Sequence, residues 1–177
     1  MTRVTSEQVW SVPVAIHEVP DTGRSFALVA DERTRAAIAE RAGLRSLPRL
    51  EATFDVALRG RDGMHVTGRV AATVGQTCVV TLEPMESEVD EEIDLVFVPA
   101  PASTIVEEDG AQVEITPVDA AEPLIGGTID LGAIATEFLI LGIDPYPRKA
   151  DAVFEPPAAE EGTDGPFAAL KALKKTT

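Results

Sequence analysis

Cys78 is the chain's single thiol. A cysteine nucleophile needs a neighbouring base and a depressed pKa. The nearest charge in sequence is Glu83, and a carboxylate pushes a thiol pKa up. The alternation around Cys78 places it inside a strand, as a small apolar residue. His17 and His65 lie far apart, and neither has a cysteine beside it. Zinc sites draw on Cys and His at short spacings, so no zinc set is expected. The run Asp90-Glu91-Glu92-Ile93-Asp94 falls on an alternating segment where side chains diverge, and it lacks the glycine and spacing of a calcium loop. Glu107, Glu108 and Asp109, followed by Gly110, form a looser acidic cluster. Gly126-Gly127-Thr128 is too short for a phosphate loop, and neither a dinucleotide fingerprint nor a Gly-x-Ser-x-Gly elbow occurs. Among 30 acidic residues no pair stands out for acid–base work. The expectation is a protein that is not an enzyme, with no catalytic, cofactor or metal residues. A carboxylate-dependent hydrolase is a remote alternative, requiring two buried acids that face a pocket.

Charge is more informative. The chain of 177 residues has a formal net charge of −15. Such a surface repels phosphates and attracts basic proteins. The charge is also polarised along the sequence. No Lys, Arg or His occurs between Arg69 and Arg148, a stretch holding 16 acids from Glu83 to Asp144. Residues 24–69 carry nine arginines against six acids. Lys171, Lys174 and Lys175 return positive charge near the end. The N-terminus lacks the basic start and apolar run of a signal peptide. The longest apolar stretch, Ile129 to Ile143, contains Asp130 and Glu137 and is too short to span a bilayer. One cysteine fits a reducing compartment, so a cytoplasmic protein without membrane contact is expected.

Several elements must position these groups. Residues 9–16 and 25–30 read as short strands, with Pro13 marking an edge. Asp31 caps a helix over Glu32 to Ala42, ended by Gly43. Leu50 to Leu58 alternates cleanly, Arg61-Asp62-Gly63 turns the chain, and Met64 to Val74 alternates again, which predicts a hairpin with one buried face. Gly75-Gln76 reads as a turn, residues 77–82 as a further strand ended by Glu83-Pro84, and Val89 to Val98 as a fourth. Residues 99–123 read as a loop. Asp130 caps a second helix, apolar on most sides, that stops at Asp144-Pro145-Tyr146-Pro147. The fold class expected is α+β: a curled antiparallel sheet of about five to seven strands, a meander partly barrel-like, covered by two helices. One domain spans residues 1–150, an acidic Pro- and Ala-rich linker 151–165, and a basic amphipathic peptide 166–177. Phe167, Leu170 and Leu173 lie three apart, on one helical face. Docking in a partner's groove and docking on the parent domain both fit this peptide.

Two segments and the terminal peptide carry a resemblance. Gly75-Gln76-Thr77-Cys78-Val79-Val80-Thr81-Leu82-Glu83-Pro84, followed by the acidic strand Val89 to Phe97, resembles the YceD family of large ribosomal RNA subunit accumulation proteins. The family's motif is Cys-x-x-Cys-Leu-Glu-Pro, which Cys78, Leu82, Glu83 and Pro84 match; Thr81 stands at the second cysteine. Glu122-Pro123-Leu124 to Asp130-Leu131, the helix after it, and Asp144 to Lys149 are similar to a second family signature. Pro166-Phe167 to Leu173-Lys174 is similar to its terminal segment. The resemblance implies a role in the synthesis, processing or stability of 23S ribosomal RNA, and a link to ribosomal protein L32. It implies no catalytic residues.

Two mechanisms then compete. In one, the acidic residues 83–122, with Glu107, Glu108 and Asp109, bind a basic ribosomal protein or large-subunit assembly factor. In the other, the arginine-bearing region 24–69 and Tyr146, Arg148 and Lys149 touch ribosomal RNA directly. Tyr146 to Lys149 joins a ring and two cations to a proline-fixed backbone, which suits RNA or an acidic groove.

Overall fold

In the computed structural model, residues 9–60, 62–99 and 121–154 are described. The alternating segments become long strands. β3 runs Ser46–Arg59, β4 Gly63–Thr77 and β5 Pro84–Pro99. Their pairing is antiparallel, with Leu50 opposite Ala72 and Ala72 opposite Val89. The shorter strands are β1 (Pro13–Ala15), β2 (Arg24–Val29), β6 (Ala121–Leu124) and β7 (Thr128–Asp130). The main sheet has the order β2-β3-β4-β5-β6, while β1 and β7 form a separate two-stranded ribbon.

The expectation of a curled antiparallel meander is corrected in two respects. β6 pairs with β5 in parallel, so the sheet is mixed. Among the described residues it is open, with β2 and β6 as edges rather than a barrel seam. Part of the expected 99–123 loop is therefore strand. Pro123 fits there because an edge strand tolerates a missing N–H.

One face of the sheet is apolar. Leu50, Phe54 and Val56 of β3, Val66, Val70 and Val74 of β4, and Val89 and Ile93 of β5 are all buried. Gly68 makes room for Phe54: an added Cβ would stand 2.9 Å from the ring's Cδ1. Helix α1, Glu32–Ala42, packs on β3. Its ends are those expected: Asp31 accepts from the Thr34 N–H, and Gly43 closes in the left-handed conformation at φ 67°. Helix α2, Leu131–Gly142, lies across β4 and β5 and buries Leu131, Ile134, Ala135 and Leu139. Its far side differs from expectation, for Ile140 and Leu141 are exposed. Asp130 caps α2 and also accepts from Val12 N–H at 2.8 Å and Ser11 Oγ at 2.5 Å, which ties residues 11 and 12 to α2.

Candidate functional site

The other face of the sheet carries charge. Glu86, Glu88, Asp90, Glu92 and Asp94 occupy alternate positions of β5, so all five project from the side that carries neither α1 nor α2. Three are matched across the sheet. Arg69 forks onto Asp90, Arg49 donates to Glu88 at 2.7 Å, and His65 Nε2 lies 2.7 Å from Asp94. Arg69 holds Asp90 below the usual carboxylate range, and Thr73 with Arg49 does the same for Glu88. Glu83, through Lys149, and Asp31, through Thr34, are lowered likewise. A general acid needs the opposite shift. The arginines expected to meet RNA are partly engaged: besides Arg49 and Arg69, Arg24 lies over Phe26 and Arg35 donates to the Ala30 carbonyl.

At one end of this face, two sequence segments lock together. β4 runs on through Gly75 and Gln76 to Thr77, so the reversal falls later than expected. Cys78 to Glu83 is the turn, not a strand, and Pro84 opens β5 instead of ending a strand. Cys78 N–H donates to the Glu83 carbonyl and Leu82 N–H to the Cys78 carbonyl, both at 2.9 Å. Leu82 closes the turn at φ 59°, the one non-glycine with positive φ among the described residues. The β-branched residues Val79, Val80 and Thr81 favour strand, but the left-handed residue and the two closing hydrogen bonds override that preference.

The segment after α2 lies against this turn. Val79 N–H donates to the Pro147 carbonyl at 2.9 Å, and Gln76 Nε2 to the Asp144 carbonyl at 2.8 Å. Lys149 Nζ meets Glu83 at 2.6 Å. The Cys78 sulfur accepts from Thr81 N–H and Lys149 N–H, each at 3.5 Å. The Thr81 side chain foremost, and then these two backbone donors, lower the thiol pKa to about 6, against the opposing effect of burial. The direction is opposite to the one expected from Glu83, whose carboxylate is paired with Lys149. Cys78 is fully buried, so its thiolate has no path to an external substrate. It holds the turn and the 144–149 segment together. Among the described residues no three His, Cys, Asp or Glu side chains gather as a metal set.

Leu82, Val79 and Tyr146 are exposed around this junction, at 76%, 42% and 71%. Arg148 is also exposed. Thus Cys78, Leu82, Glu83, Pro84, Tyr146, Arg148 and Lys149 come together in one region. Glu107, Glu108, Asp109, Phe167, Leu170 and Leu173 lie outside the described residues, as does the linker from residue 155 onward. Sequence reasoning missed Gln76 and Pro147 as the joints; only their positions inside the two motifs could have drawn notice to them.

Among the described residues, the acidic sheet face ends in this braced double turn. Over residues 66–174 the chain matches the family described as large ribosomal RNA subunit accumulation protein YceD, and it belongs to that family. The family description links it to accumulation of large-subunit ribosomal RNA. No curated protein and no solved structure matches the chain. Among the described residues, no helix is long and apolar enough to cross a membrane.

Proposed function

We propose that this protein supports 23S ribosomal RNA accumulation as a cytoplasmic, non-enzymatic adaptor that holds a basic large-subunit protein or assembly factor on the open face of its sheet. The observation that carries this reading is the row Glu86, Glu88, Asp90, Glu92 and Asp94 on a face that, among the described residues, bears no helix. A row of like charge steers a basic partner and speeds encounter. Ribosomal protein L32 is the first partner to test. The braced turn would add an apolar contact through Leu82 and Val79.

A second reading rests on Tyr146 and Arg148, exposed two residues apart on a proline-fixed segment: the same junction grips ribosomal RNA. A tagged pull-down from the native cell, with and without nuclease, separates the two. Large-subunit proteins that stay bound after nuclease support the adaptor, and their loss supports RNA contact. In the adaptor reading, replacing Glu86, Glu92 and Asp94 with Gln, Gln and Asn lowers capture at low salt. Unchanged capture would count against the acidic face.

A further inference from the structure

β2 is the outer strand of the main sheet, and the phase of its ladder is fixed at its end. Ala30 N–H donates to the Leu50 carbonyl at 3.0 Å, and the register with β3 continues as Leu28 opposite Ala52, Phe26 opposite Phe54 and Arg24 opposite Val56. Hydrogen-bonded pairs recur at every second residue of an antiparallel ladder. Arg24, Phe26, Leu28 and Ala30 therefore bond β3, and Ser25, Ala27 and Val29 turn their N–H and C=O groups outward. Among the described residues no backbone group bonds them there. All three are exposed, Val29 to 73%. Natural sheet edges are guarded by proline, charge or a bulge. β6, at the other edge, carries Glu122 and Pro123. β2 has no such guard from Ser25 to Val29, and its register is unbroken. Helix α1 packs on β3, one strand in from this edge.

The strand is complementary to itself. Turned about a twofold axis at Ala27, two copies of β2 pair antiparallel with Ala27 opposite Ala27 and Ser25 opposite Val29. Each such pair exchanges both of its N–H···O bonds. The intervening pairs set Phe26 opposite Leu28, aromatic against aliphatic, on the side of the sheet that holds the core. Both side chains are half-buried in one copy, so pairing extends its apolar layer. Arg24, the charged residue of β2, falls opposite Ala30 and next to Asp31 of the second copy, so opposite charges meet at each end. A basic partner finds no acid on this strand. The net charge of −15 opposes the pairing only weakly. The acidic row lies on β5, and the order across the joined sheet is β5-β4-β3-β2-β2-β3-β4-β5. The two rows then stand about 34 Å apart, about four Debye lengths at physiological salt.

We infer that β2 is a self-association edge, through which two copies of this chain join their sheets in antiparallel register with Ala27 at the twofold axis. The seam is separate from the acidic row and from the braced turn. It sets two copies of the acidic row on one face of the joined sheet.

The test uses the full-length chain. An interface this small is weak, and for a Kd of about 50 µM the mean sedimenting mass rises about 1.6-fold between about 5 µM and about 500 µM. Amide hydrogen exchange reads the ladder itself. The amides of Ser25, Ala27 and Val29 gain protection as concentration rises, while Phe26 and Leu28, already bonded to β3, do not change. Ala27→Lys sets like charges opposite each other at the axis and holds the mass at the monomer value. Ala27→Glu does the same, and an equimolar mixture of the two variants recovers the rise in mass. Position 27 is exposed with its N–H turned outward, so both variants keep the fold of the single copy, which melting curves at low concentration verify. A mass that stays monomeric up to about 500 µM overturns the inference. Protection of Ser25, Ala27 and Val29 that does not depend on concentration assigns the edge to a segment of the same chain and overturns it too. Association that survives Ala27→Lys, or a mixture of the two variants that stays monomeric, places the contact elsewhere and refutes pairing about Ala27.

Discussion

Leu82 is held at φ 59° while most of its side chain faces water, and this arrangement sets a clear sign for substitution. Trimming Leu82 to alanine removes little buried area but leaves a Cβ in the left-handed conformation, which costs about 1–2 kcal/mol. Glycine removes that cost and returns about 0.5–1 kcal/mol through its greater freedom in the unfolded chain. Leu82→Gly should therefore be more stable than Leu82→Ala by about 0.5–1 kcal/mol, or about 1–4 °C in Tm for a chain of this size. In a helix interior the order is reversed, with alanine ahead by about 1 kcal/mol. Thermal unfolding by circular dichroism reads the difference, and partner capture is measured on the same preparations. Both variants lose the exposed side chain, so both should capture less, equally, while their melting temperatures diverge. An alanine variant that melts at or above the glycine variant refutes the reasoning, because the turn would then not require a left-handed residue.

Cys78 gives a pH prediction. Its folded pKa of about 6 lies below the unfolded value, so the thiolate contributes nothing once both states are protonated below that pH. The contribution grows as pH rises above about 6 and is complete above the ordinary thiol value of about 8.5. The stability gap between the native chain and Cys78→Ala should widen across that window; a flat gap removes the thiolate from the account. Gly132→Ala places a Cβ 2.8 Å from the Trp10 carbonyl oxygen and should destabilise by about 1–3 kcal/mol, read by urea unfolding. Leu139→Ala empties a fully buried position and should lose about 2–5 kcal/mol; a loss under about 1 kcal/mol would mean that α2 is not anchored on the sheet.

The parts of the fold set by local chemistry are legible in the sequence. Asp31 and Gly43 bracket α1 because a carboxylate cap and a left-handed glycine are demands made by the helix itself. The alternation of Leu50 to Leu58 against Met64 to Val74 defines the hairpin and its buried face. What the sequence hides is non-local. Gly75-Gln76 looks like a turn, yet Gln76 is a strand residue whose amide bonds Asp144, 68 positions away. Val79 to Leu82 has strand propensity, but its shape follows from Pro147 and Lys149 accepting and donating across the junction. Ala121–Leu124 pairs in parallel with a strand end, and with Pro123 inside it has no pattern to detect. Glu83 is the charge nearest Cys78 in sequence, whereas the thiol's titration follows first from the Thr81 side chain and then from backbone donors, one of them 71 positions away. Family membership is legible because each motif is contiguous, while the contact between the motifs is not.

Asp130 joins Val12 across 118 positions, and β1 has no other strand partner than β7 among the described residues. During synthesis the opening segment therefore waits until the last third of the chain exists. At about 5–20 residues per second that interval is about 6–24 s. Through that time Trp10, Val14 and the neighbouring apolar residues lack the helix that covers them, although the β2–β5 hairpins can already pair. The final closure is thus a late, long-range event, made only once α2 has cleared the machinery that builds the chain.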